Sequence, residues 1–139
     1  MSRVEQHGPD PGRCSVRLTR RYDASPAEVW GALTEPHSMA RWLAHPRRVE
    51  LSPGGALELE LRDAGVIAAA VREVEPGRVL ELDWRYESED LSIVRFELAA
   101  DGDGTLLVLD HRRIDERFGM LYIARWERAI ARFKAVVSG

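Results

Sequence analysis

His111 closes an apolar alternation, Leu107–Leu109–His111, on one face of a strand-like run. An imidazole at such an inward position can trade a proton near neutral pH or hydrogen-bond a bound molecule. Asp110 adjoins it but points to the opposite face, so the two cannot pair directly. Tyr22 and Tyr86 end strand patterns on their inward sides, and Tyr122 opens the apolar stripe of the last helix. Each offers a hydroxyl where an enclosed space would need one. The four tryptophans, Trp30, Trp42, Trp84 and Trp126, all occupy apolar-pattern positions and combine large apolar area with an N–H donor. Trp30 reads as core, while Trp42, Trp84 and Trp126 are candidates to line a cavity. With Phe96, Leu109, His111 and Tyr122 they form an inward set with few polar points, as a site for a hydrophobic or amphipathic small molecule requires. The competing reading keeps the aromatics as core and makes His111 a core-edge residue bonded to a neighbour or to water. Arg20, a polar residue on an apolar face, reads as an edge position, with an ion pair or a ligand carboxylate as alternatives.

Other chemistries find no support. His7, His37, His45 and His111 share no ligand spacing, and Cys14 is the one cysteine, so no metal site is expected. Ser52-Pro53-Gly54-Gly55 is a turn rather than a phosphate-binding loop. No nucleophile elbow is present, so neither a cofactor nor a catalytic residue is assigned. The net charge is -3 and no half of the chain is strongly basic, which argues against nucleic acid. No apolar run approaches the roughly 20 residues of a membrane helix, and the start lacks an apolar signal segment. A single cysteine suits a reducing cytoplasm, the expected location. Monomer and homodimer stay open.

These side chains need a scaffold. Met120–Val137 carries Tyr122, Ile123, Trp126, Ala129, Ile130, Phe133, Val136 and Val137 at three- and four-residue steps, one apolar stripe on a helix of about five turns. Arg125, Arg128, Arg132 and Lys134 fall outside the stripe, free to face water. Upstream, Cys14–Tyr22 alternates as a first strand. Ser25-Pro26-Ala27-Glu28 is a helix start with a capping box, and the helix runs to Thr34. Pro36 interrupts, and a second short helix covers His37–Leu43. From Arg47 the period becomes two: strands are expected at Arg47–Leu51, Ala56–Arg62, Val66–Val74, Arg78–Tyr86, Leu91–Ala99 and Thr105–Arg113. Turns separate them at Pro53-Gly54-Gly55, Asp63-Ala64-Gly65, Pro76-Gly77 and Asp101-Gly102-Asp103-Gly104. Hairpin-linked strands with one apolar face need a cover, and the last helix supplies it. Residues 1–12, broken by Gly8, Pro9, Pro11 and Gly12, read as a flexible arm in which His7 is solvated. Residues 13–139 read as one domain.

This order resembles the START-like (Bet v 1-like, SRPBCC) superfamily with its helix-grip fold. More narrowly it resembles bacterial proteins related to the C-terminal domain of the Hsp90 ATPase activator. The resemblance rests on Asp23-Ala24-Ser25-Pro26-Ala27-Glu28-Val29-Trp30-Gly31-Ala32-Leu33-Thr34 followed by Trp42. It extends to Gly65, Pro76 before Arg78-Val79-Leu80, Trp84, Gly104-Thr105-Leu106-Leu107 leading to His111, and Trp126. It implies an α+β fold in which a curved antiparallel sheet of six to seven strands wraps a long C-terminal helix. A cavity between them, roofed by the two short helices, is part of that expectation. Ile114–Gly119 is short, which is expected to reduce the cavity's mouth. The resemblance implies binding of a hydrophobic or amphipathic molecule. It admits two alternatives: a cyclase or hydrolase using His111 with Tyr86 or Tyr122, and a chaperone partner of the Hsp90-activator kind.

Overall fold

The computed structural model describes residues 2–6, 11–61 and 65–138, the first of these stretches as backbone alone. The expectations for His7, Gly8, Pro9, and the Asp63-Ala64 part of a turn lie outside the described residues. Eight strands form one antiparallel sheet: β1 (Ser2–Gln6), β2 (Arg13–Tyr22), β3 (His45–Val49), β4 (Ala56–Glu60), β5 (Val66–Glu75), β6 (Val79–Tyr86), β7 (Ser92–Asp101) and β8 (Gly104–Asp115). Their order across the sheet is β1-β2-β8-β7-β6-β5-β4-β3. The helices are α1 (Pro26–Thr34), α2 (Pro36–Trp42) and α3 (Gly119–Ser138), the last preceded by a 3-10 turn at Glu116–Phe118.

The seven strands foreseen from Cys14 onward are all present, and an eighth, Ser2–Gln6, lies within the stretch expected to be irregular. Ser2–Gln6 pairs antiparallel with β2, from Ser2 opposite Leu18 to Gln6 opposite Cys14. Proline and glycine between them were taken to end regular structure. Gly12 instead adopts the left-handed region, φ 82°, just before β2, where a glycine bears no steric cost.

Local signals explain most of the rest. The Ser25 hydroxyl accepts from the Glu28 amide, and the Glu28 carboxylate accepts from the Ser25 amide, each at 3.2 Å. Pro36 begins α2 where it would have broken α1. Gly102, φ 62°, takes the first central place of a two-residue turn that sets Asp101 opposite Gly104. Together α1 and α2 carry the chain from β2, near one edge of the sheet, to β3 at the other.

α3 buries Tyr122, Trp126, Ala129, Ile130 and Phe133, the stripe read from the sequence. Its backbone approaches β1, β2, α1 and α2. The opposite face of the sheet is polar. There Glu81, on β6, accepts hydrogen bonds from Arg72, Arg95 and Arg112, each at 3.2 Å. Among the described residues no helix is long and apolar enough to cross a membrane.

Candidate functional site

β6 and β8 each send an alternating set inward, and both sets end in a polar-tipped ring: Leu80-Leu82-Trp84 and Leu107-Leu109-His111. α3 lowers Trp126 onto them. The Trp126 indole stands 5.6 Å from Trp84, 6.0 Å from Phe96 and 6.0 Å from His111, centroid to centroid.

Burial and hydrogen bonds settle the state of His111. The Trp126 Nε1–H donates to His111 Nδ1 at 3.0 Å. An indole nitrogen can only donate, so Nδ1 is the acceptor and the ring proton sits on Nε2. Nε2 lies 2.7 Å from Ser92 Oγ and donates to it. The Ser92 hydroxyl passes its own proton to the Trp84 carbonyl at 3.2 Å. Every polar atom in this relay has one partner of the right sense. His111 has no exposed surface, and burial pushes its pKa down from 6.5 to about 3. A histidine held neutral, with its one lone pair occupied, is not a general base. With both nitrogens engaged, His111 has no free lone pair for a tyrosine hydroxyl, an arrangement that does not favour pairing it with a tyrosine as acid and base. The Tyr122 ring stacks edge-on at 4.7 Å from the imidazole, but its hydroxyl donates to Glu89 Oε1 at 2.6 Å. Burial pushes that phenol's pKa up, and the Glu89 carboxylate adds to the rise.

Beside this cluster lies a cavity of about 330 Å³, lined by Leu43, Leu61, Ile67, Trp84, Tyr86, Leu121, Tyr122, Arg125, Trp126, Arg128, Ala129 and Arg132. It occupies the space between α3 and the β4–β6 side of the sheet. A small side chain helps to leave it empty: Ala129 borders it from α3. The Trp84 Nε1–H is buried without a hydrogen-bond partner. It lies near the Tyr122 hydroxyl, close enough to favour the phenolate slightly, without forming a well-directed hydrogen bond. Arg125 lies over the rings of Tyr86 and Tyr122, at 4.9 and 5.6 Å from their centroids. Arg132 Nε donates to the Trp42 carbonyl at 3.1 Å, tying α3 to α2 at the rim. A second cavity, about 250 Å³, is lined by Ser88, Glu89, Asp90, Ser92, Ile114, Asp115, Arg117, Phe118 and Tyr122. The short Ile114–Gly119 segment therefore borders this second space and contributes no lining to the first.

Of the seven residues picked from the sequence to line a pocket, Trp84, Tyr122 and Trp126 do line the first cavity. Trp42, Phe96, Leu109 and His111 do not reach it. Trp42 donates its N–H to the Ala32 carbonyl at 3.1 Å and packs edge-on against Phe96 and Phe133. Phe96 and Leu109 are core beneath it. Inward-facing strand residues meet whatever lies above them, and here that is packed aromatic rings rather than space. Tyr22 is likewise core. It stands edge-on to Phe133, its hydroxyl has no partner, and burial pushes its pKa up to about 12. Tyr86 does line the cavity. Arg20 is half-buried and donates to Glu127 at 3.2 Å, the ion-pair alternative. Ser92 escaped notice, although it falls in phase with Val94, Phe96 and Leu98. Arg125, Arg128 and Arg132 also escaped, because a charged flank beside a stripe reads as solvated. Among the described residues no cluster of histidine, cysteine and carboxylates could hold a metal ion.

A curved antiparallel sheet closed by one long C-terminal helix, with two short helices after an early strand and a cavity at the junction, defines a helix-grip α+β protein. Residues 23–138 match the family described as Activator of Hsp90 ATPase homolog 1-like protein, and the chain belongs to that family. It is similar to CalU16 from Micromonospora echinospora, at 30% identity with a TM-score of 0.84, over 99% of this chain and 85% of that one. DynU16, a protein of the dynemicin biosynthetic locus, superposes with a TM-score of 0.82 at 22% identity, over 89% of this chain and 47% of that one. MLL2253 from Mesorhizobium loti does so at 0.82 and 23% identity, over 89% and 96%. These last two share the fold. No curated protein matches the sequence.

Proposed function

We propose that this protein binds a hydrophobic or amphipathic small molecule in the cavity between α3 and the β4–β6 side of the sheet. One observation carries the reading: a space of about 330 Å³ opens between α3 and the sheet, bordered by the rings of Trp84, Tyr86, Tyr122 and Trp126. That volume falls at the small end of the ~300–1,000 Å³ typical of small-molecule sites. The biosynthetic locus of DynU16, which shares the fold, is in keeping with a small-molecule partner.

Trp84 and Trp126 provide the test, since both border the cavity. Titrating a library of apolar and aromatic compounds should quench or shift tryptophan emission in a saturable way for a subset of them. That response should disappear in Ala129→Phe, which fills the space. Unchanged emission across the library, or a response that Ala129→Phe retains, rules the reading out.

A further inference from the structure

The charges around the cavity are one-sided. Arg125, Arg128 and Arg132 line it, and no aspartate or glutamate does, although the chain as a whole carries a net charge of -3. Elsewhere the arginines of the sheet are matched with carboxylates: Arg13 with Asp90, Arg72 with Glu81 and Asp83, Arg95 with Glu73 and Glu97. Arg125 and Arg128 have no carboxylate within ion-pair distance among the described residues. The neighbouring acids are otherwise engaged. Glu127 takes Arg20, and Glu89, which lines the second cavity, takes the Tyr122 hydroxyl.

Arg125 is also held in place. Its guanidinium lies over Tyr86 and Tyr122, and a guanidinium stacked on rings keeps its N–H donors in its own plane, at its edges. Arg128 follows three residues later, one helical step along the same flank of α3. Two cationic groups at adjacent steps can share one carboxylate. Below them the lining is aromatic and compact. An apolar cavity of ~150 Å³ takes a benzene ring, so about 330 Å³ has room for two fused rings, and Trp84, Tyr86, Tyr122 and Trp126 supply aromatic faces to stack on them.

We propose that the molecule bound here is a compact aromatic carboxylate, its rings against Trp84 and Trp126 and its carboxylate on Arg125 and Arg128. The proposal rests on the cavity being the binding site, and it adds the charge and shape of the occupant.

The experiment compares naphthoate with its neutral counterpart naphthalenemethanol, and with decanoate, by calorimetric titration into the full chain. Naphthoate should bind about tenfold more tightly than the alcohol, the scale of one charge-assisted contact. Raising the salt concentration should erode that difference and leave alcohol binding alone. Arg128→Gln, at an exposed position, should remove most of the preference for the acid. Lys134→Gln, on the same helix but outside the lining, should not. Equal binding of acid and alcohol, or an unchanged preference in Arg128→Gln, overturns the anionic assignment and leaves the cavity reading intact. Decanoate binding as tightly as naphthoate overturns the aromatic assignment. If none of the three binds, the cavity reading falls together with this one.

Discussion

On the flank of α3 that faces β2 and α2, Phe133 has no exposed surface and lies between Tyr22 at 5.4 Å and Trp42 at 4.9 Å. On the flank that faces β4–β6, Ala129 borders the cavity with Ile67 and Tyr86, and Trp126 meets Trp84 at its wall, 5.6 Å between centroids. One helix and one sheet enclose both. The difference is side-chain volume: rings interdigitate on the first flank, while Ala129 leaves space on the second. Between them stands the relay Trp126–His111–Ser92–Trp84, which satisfies its polar atoms internally and fixes the rings of the cavity wall. Stability should therefore reside on the closed flank and binding on the open one.

The sharpest break in that contrast is Phe133→Ala. Removing a fully buried ring should cost about 3–5 kcal/mol, read as a lower midpoint in denaturant unfolding with little change of slope. A loss under about 1 kcal/mol would mean that the closed flank is not packed as described.

His111→Phe tests the divider. It strands the Trp126 N–H and removes the partner of Ser92, so about 2–3 kcal/mol should be lost at neutral pH. The variant should also change the pH dependence. The native pKa of His111 is depressed to about 3 from 6.5, so below 6.5 the unfolded chain binds a proton that the folded one refuses. This part of the stability is whole above about pH 6.5. It drains by up to ~1.4 kcal/mol per pH unit as pH falls toward 3. Subtracting the stability–pH curve of His111→Phe from that of the wild type should expose this slope. Parallel curves would show that His111 is not held neutral.

Ala129→Phe adds a ring where there is space. Overpacking a filled core costs ~1–3 kcal/mol; here the change should stay under about 1 kcal/mol while the fluorescence response to ligands vanishes. A severe loss of stability would mean that the cavity is narrower than its volume suggests. Tyr122→Phe should have the smallest effect, within about 1 kcal/mol in thermal unfolding, since the bond it removes goes to a partly exposed glutamate.

Much of the fold was legible because it follows from short-range rules. The Ser25–Glu28 box, the Gly102 turn and the period-two runs of β4 to β8 each specify themselves within a few residues. The strand at Ser2–Gln6 was not legible. It has no hairpin signal of its own and forms because β2 offers an unpaired edge. The candidate site was legible only in its direction. Alternation showed that Trp84, Phe96, Leu109 and His111 point inward, and the stripe showed the same for Tyr122 and Trp126.

By itself, then, the sequence determined which side chains leave water, because periodicity is a property of neighbouring residues and the hydrophobic effect acts on it directly. Only the tertiary structure decided which of them meet one another and which border a void. That depends on where α3 settles across the sheet, and its position is set by the summed volumes of residues as distant as Tyr22, Ala69 and Phe133. The same cause turned His111 from a candidate base into a neutral strut, and turned Arg125 and Arg128 from a solvated flank into the mouth of a pocket.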